Sequence, residues 1–201
     1  NSFGTLTLSQ AIVDSIHQFF MAFYFAPTLF FRITSSYAIS RHFGYVMLSA
    51  YQICCYSHLF ISINRFFAVC APVSYKMLFS ASITRRVIIV CWLLGFIHNT
   101  ILDKILGCPV YLPEGGWFFI FDEVTCGVTM WYGDFLINSI NVIVVATLDI
   151  SSVLRLHCMS VNKNDKFSVE RRRAQKNLVY QAALQGICFL TELITYFILS
   201  G

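Results

Sequence analysis

From Phe43 to Ile63 the chain runs 21 residues without a formally charged side chain, and then meets Asn64 and Arg65. As an α-helix rising about 1.5 Å per residue, such a stretch is about 30 Å long, the hydrocarbon thickness of a bilayer. The Asn–Arg pair therefore stands where a membrane-crossing helix leaves the lipid. An arginine there is either an anchor whose charge snorkels to the headgroups or the moving part of a switch at neighbouring helix ends.

The rest of the chain repeats the pattern. Five apolar segments of spanning length run from Leu8 to Phe31, Arg41 to Val69, Val87 to Leu106, Thr129 to Leu154 and Asn177 to Leu199. None alternates apolar and polar residues as a membrane β-strand does, and each far exceeds the roughly ten residues such a strand needs. Helices satisfy their own backbone hydrogen bonds in lipid, so the fold class is an all-α membrane protein. With 57% hydrophobic and 12% charged residues, the chain is far too apolar for a soluble domain, which carries about a quarter charged residues. Residues 1–201 read as one transmembrane domain without repeats or linkers. No signal peptide is visible, and the start at Asn1 and end at Gly201 after an apolar run suggest a piece of something longer.

Orientation follows from the basic residues. Arg65, Lys76, Arg85 and Arg86 surround the connection between the second and third segments. Arg155, Lys163, Lys166, Arg171, Arg172, Arg173 and Lys176 surround that between the fourth and fifth. The remaining connections hold only Arg32, Arg41 and Lys104, so the positive-inside rule places the two basic loops in the cytoplasm. Asp103, Glu114, Asp122, Glu123 and Asp134 fall to the opposite, outer side. The first segment then runs from inside to outside, which fits a seven-helix bundle lacking its first and last helices, among other polytopic folds.

The run His58-Leu-Phe-Ile-Ser-Ile-Asn-Arg-Phe-Phe-Ala-Val-Cys-Ala-Pro-Val-Ser-Tyr-Lys76 resembles the third-helix end and second cytoplasmic loop of nematode serpentine chemoreceptors. It is most similar to serpentine receptor class X, a rhodopsin-like seven-helix group. That class tends to carry Asn-Arg-Phe where most rhodopsin-like receptors have an acid, an arginine and an aromatic residue. Further matches are Asn1-Ser-Phe-Gly-Thr-Leu at the start, Cys108 and Cys126 around Trp117, and Gln181 with Gln185 in the last segment. The resemblance covers essentially the whole chain and implies that the five segments correspond to helices two to six.

It also implies roles. Asn64, Arg65 and Phe66 would form the G-protein coupling switch, although Asn64 lacks the carboxylate that would hold Arg65 in a local ion pair. Arg171, Arg172, Arg173 and Lys176 are positive-inside anchors attracted to anionic lipid, and in the family reading they also edge the cytoplasmic crevice. The expected partners are membrane lipid, a heterotrimeric G protein and a small-molecule chemical ligand, with no nucleic acid. The expected location is the plasma membrane, possibly of sensory cilia. Rhodopsin-like receptors usually bond a loop cysteine to the outer end of helix three, but Ser36 to Tyr45 contains no cysteine. Cys108 and Cys126 alone fall on the outer side, so an intraloop bond between them is expected, two free thiols being the alternative.

Polar groups within the segments complete the reading, because a charge at the bilayer centre costs about 2.5–3.5 kcal/mol on insertion scales. Asp14 and Asp149 are expected to be satisfied groups in the bundle interior. Tyr51, His98, Asn99, Asn138 and Glu192 lie at depths facing the outer cavity of such bundles and are the ligand-pocket candidates. The aromatics of Trp117-Phe118-Phe119-Ile120-Phe121 either lid that cavity or rest in the outer interface; the interfacial belt is the expectation. No catalytic, phosphate-binding or metal motif is present and no cofactor is expected. The function indicated is a chemosensory G-protein-coupled receptor. The alternative is a polytopic transporter or channel subunit, which would call for broken helices or rings of midplane charge. An intramembrane enzyme would need paired acids, a Ser/His pair or a zinc cluster at one depth.

Overall fold

The computed structural model describes residues 2–33, 39–114, 116, 119–121 and 124–160, with seven separate helical positions between 180 and 195. The first rod is α1 (Ser2–Phe20), continued through a π-helical turn (Met21–Phe25) into α2 (Ala26–Phe31). Pro27 accounts for the wide turn. Its ring has no N–H and clashes with the carbonyl four residues back, and the Ala26 N–H closes instead onto the Met21 carbonyl. The chain leaves the rod at Arg32, whose φ of 50° is left-handed.

The second rod is α3 (Ser40–Cys70), followed without a true loop by the short α4 (Pro72–Leu78). Ala71, ahead of the proline, is driven out of helical geometry and separates the two. α5 (Ala81–Thr100) begins six residues before the apolar segment seen in sequence. Ser80 caps it, its side chain accepting from the Ile83 N–H at 3.3 Å, and the first turns hold the exposed Arg85 and Arg86. A second π turn (Ile101–Ile105) extends α5. Gly107, at φ 67°, then turns the chain, and the Cys108 N–H bonds the Leu102 carbonyl at 2.9 Å.

A two-stranded antiparallel hairpin, β1 (Val110–Tyr111) and β2 (Ile120–Phe121), pairs Val110 with Phe121 and Tyr111 with Ile120. The last described rod is α6 (Val124–Met130), a third π turn (Trp131–Leu136) and α7 (Ile137–Ser160). Three helices, Ser40–Cys70, Ala81–Ile105 and Cys126–Leu156, are long and apolar enough to cross a membrane among the described residues. The Ser2–Phe31 rod has the length but carries Gln10, Asp14, His17 and Gln18. The fifth expected segment lies outside the described residues except at its isolated helical positions.

α3 is the central element. Its membrane-length stretch is 61% buried, against 28% and 22% for the two other apolar helices. Those helices turn Ile89, Leu93, Ile97, Ile140 and Ile143 outward, which suits lipid contact. α3 instead buries Ser49, Gln52, Ser57, His58, Ser62 and Asn64, so its polar groups are spent on neighbouring helices. Asn99 of α5 donates to the Tyr45 carbonyl at 2.7 Å and to Ser49 Oγ at 2.8 Å. Tyr56 meets His98 Nδ1 at 2.8 Å, and Asn141 of α7 donates to the Cys55 carbonyl at 3.0 Å. On the remaining side His58 meets Gln10, and the Cys54 thiol donates to Asp14 at 2.8 Å. Gly95 lets α5 approach this closely, since a Cβ there would lie 2.9 Å from the Ile53 backbone nitrogen.

Candidate functional site

Two places on α3 combine polar chemistry with contacts from several helices. One is at its last turns. Asn64 is buried, and Arg65 turns inward with its Nη1 4.0 Å from Asp149 Oδ1 on α7. That distance is an ion pair without a direct hydrogen bond. The guanidinium also lies over the Phe3 ring of α1, 5.4 Å from its centroid, within cation–π range. Phe66 points elsewhere and packs edge-on against Phe67. Beyond the Ala71 break, Tyr75 of α4 stacks on Phe79 and its hydroxyl meets Ser2 Oγ at 2.9 Å. The start of α1, the end of α3, α4 and the inner part of α7 are thus tied together around Arg65.

The second place is a cavity of about 150 Å³ near the opposite end of α3. His17 and Met21 of the first rod form one wall, and Gly44, Met47, Leu48 and Tyr51 of α3 another. The hairpin closes it with Val110, Phe119 and Phe121, and Asp134 of the third π turn contributes the acidic group. Gly44 makes this closure possible: a Cβ there would sit 2.1 Å from the Val110 carbonyl oxygen and 3.6 Å from the Phe119 ring. Phe119 is held by stacking on Phe25, with ring centroids 5.2 Å apart. Cys108 and Cys126 are joined by a disulfide at the base of the hairpin, packed with Leu102 and Met130.

The aromatic run therefore differs from the belt expected of it. Phe119 and Phe121 face the cavity, because the disulfide and the strand pairing fold that part of the loop back over α3. Trp117 and Phe118 lie outside the described residues.

Asp134, read from the sequence only as an acid on the outer side, lines the cavity and is the site residue that reading did not single out. It is only 5% exposed. Gln52 Nε2 and Asn138 Nδ2, the latter at 2.9 Å, both donate to its Oδ1. Its depth comes from the helix above it: α6 continues the rod upward from Trp131, and Gly133 keeps that rod close to Leu102, whose Cδ2 a Cβ there would meet at 3.0 Å. Asp103 is buried as well and pairs with Lys104 at 2.7 Å and Arg41 at 3.9 Å.

Of the pocket candidates, Tyr51 lies on the cavity wall. Asn138 stands behind Asp134 as its hydrogen-bond donor, while His98 and Asn99 pin α5 to α3 away from the lining. Glu192, Gln181, Gln185 and the basic residues Arg171, Arg172, Arg173 and Lys176 lie outside the described residues. Among the described residues no cluster of His, Cys, Asp and Glu could hold a metal ion.

The family model described as "Serpentine type 7TM GPCR chemoreceptor Srx" matches residues 1–201. The chain belongs to the Srx family of serpentine chemoreceptors. Serpentine receptor class X 45 of Caenorhabditis elegans is 31% identical over 209 aligned residues, covering the whole of this chain and 58% of that protein. Serpentine receptor class X-43 of the same organism is 29% identical over 154 residues, covering 76% of this chain and 48% of its own length. This Srx chain thus spans about half the length of the curated relatives it matches. The Srx match and the apolar helices make it a multi-pass helical membrane protein.

Proposed function

We propose that this Srx chain is the core of a chemosensory G-protein-coupled receptor. A small molecule entering the hairpin-covered cavity from outside the cell changes how α3 and α7 meet, and the change is read by a heterotrimeric G protein at Arg65. The observation that carries this reading is that one helix pair joins both places. Gln52 of α3 meets Asp134 at the cavity, and Arg65 of α3 meets Asp149 of α7 at the other end. Thirteen residues separate the two points on α3, about 20 Å of helix. A ligand that binds one packing of the pair better than another shifts the population of both ends together.

Asp149 and Phe3 hold the guanidinium inside the bundle. Release of Arg65 would expose it to the G protein, and the positive charge of Arg171, Arg172, Arg173 and Lys176, read from the sequence as cytoplasmic, would favour the same partner. The receptor would work at the plasma membrane, with sensory cilia as a suitable site for an external chemical signal. Arg65→Ala tests the switch: surface expression stays largely intact while ligand-dependent nucleotide exchange on the G protein is lost. Normal coupling in that variant would remove Arg65 from the mechanism.

A further inference from the structure

The cavity holds a carboxylate that the protein itself leaves half-occupied. Two side-chain amides converge on Asp134 Oδ1, but Oδ2 accepts no hydrogen bond from any described residue. Unlike the oxygens of Asp103 and Asp149, Oδ2 is not among the sealed polar atoms of the interior, so it opens toward the cavity that Asp134 lines. Among the described residues no Arg, Lys or His forms an ion pair with Asp134. A buried carboxyl group without a counter-charge is costly to ionise until something supplies one.

The rest of the cavity limits what that can be. Apart from His17 and Tyr51 its side-chain walls are apolar, chiefly Met21, Met47, Leu48, Phe119 and Phe121, and about 150 Å³ is the size of an engineered protein cavity that takes up benzene. We propose that the cavity binds a small protonated amine, its ammonium on Asp134 Oδ2 and its apolar body, of about one six-membered ring, against the methionines and the hairpin phenylalanines. The inference rests on reading this cavity as the receptor's ligand site. Gln52 and Asn138 act as positioning residues, fixing Oδ1 so that Oδ2 is presented.

The test measures binding without any G protein, so that failure of coupling and failure of the amine site are told apart. Ligand-observed NMR on the receptor in lipid nanodiscs, with empty nanodiscs as blank, compares benzylamine, benzyl alcohol and toluene at neutral pH. Benzylamine is expected to bind about tenfold or more tightly than either neutral probe, the size of one charge-assisted hydrogen bond. Asp134→Asn should reduce that preference to about twofold or less. Equal or tighter binding of benzyl alcohol or toluene to the wild type overturns the proposal, as does an undiminished amine preference in Asp134→Asn. Should that variant fail to fold, Met21→Trp, which fills the cavity from a partly exposed position, must weaken benzylamine binding. Unchanged binding there would put the amine elsewhere and overturn the site equally.

Discussion

Arg65 Nη1 lies 4.0 Å from Asp149 Oδ1, so the carboxylate that Asn64 does not supply comes from a neighbouring helix instead. Both side chains are largely buried, at 12% and 3% exposure, and screening by solvent is correspondingly weak. The contact still lacks a hydrogen bond and carries the cost of desolvating two charges. It is therefore suited to a latch that opens, and less to a fixed strut. Asp149→Asn is expected to raise ligand-independent nucleotide exchange, by about fivefold if the latch is worth about 1 kcal/mol. Basal exchange at the wild-type level in a variant expressed normally would sink the latch.

Gly44 and Val110 make the second decisive contact. A methyl group at Gly44 would collide with the Val110 carbonyl oxygen, which is backbone and cannot swing aside. Gly44→Ala should lift the hairpin off α3, lower the thermal midpoint by an overpacking cost of about 1–3 kcal/mol, and weaken ligand binding. Gly127→Ala serves as the control, because a Cβ there meets nothing within 4 Å and alanine favours a helix. Equal melting of the two variants would mean that the hairpin is not seated on Gly44.

How much of this was legible in the chain differs from one element to the next. α3 was plain, since an uncharged stretch ending in Asn64-Arg65 has few other solutions in lipid. Helix ends were not, because α5 starts on a Ser80 cap ahead of two arginines, and hydropathy discards charged turns that remain helical. Pro27 signals the first π turn, but no residue announces those at Ile101–Ile105 and Trp131–Leu136. Asp134 lies near the outer end of the fourth apolar segment, and nothing in its sequence neighbourhood shows that it turns into the cavity. Asp149 could be placed near the level of Arg65 by orientation alone. Whether the two face each other depends on helix rotation, which a chain buried on several sides does not encode as a simple stripe.

The Cys108–Cys126 bond closes the loop that lids the cavity. The cysteines are 18 positions apart, and a closed loop of that length restricts the unfolded chain by about 3 kcal/mol in the loop-entropy account. Cys126→Ser, with Cys108 also changed to Ser to avoid a stray thiol, should lower stability by about 2–4 kcal/mol and leave the hairpin protease-sensitive. Alkylation under non-reducing conditions provides the direct check on the wild type. Modification of both thiols without prior reduction would show that the bond does not form.

Asn99 separates structural from binding roles among the polar residues of the bundle. Its amide makes two contacts to α3, at 2.7 and 2.8 Å, and stands away from the cavity lining. Interhelical hydrogen bonds in membranes are worth about 0.6–2 kcal/mol each, so Asn99→Ala should lower the thermal midpoint measurably. It should leave the ranking of amine and neutral probes unchanged. Tyr51→Ala should behave the opposite way, since Tyr51 lines the cavity wall and its loss enlarges the site. That variant is expected to admit bulkier amines and to bind benzylamine more weakly through lost contact. A shift of ligand preference in Asn99→Ala with none in Tyr51→Ala would relocate the pocket to the α3–α5 seam, where His98 also lies.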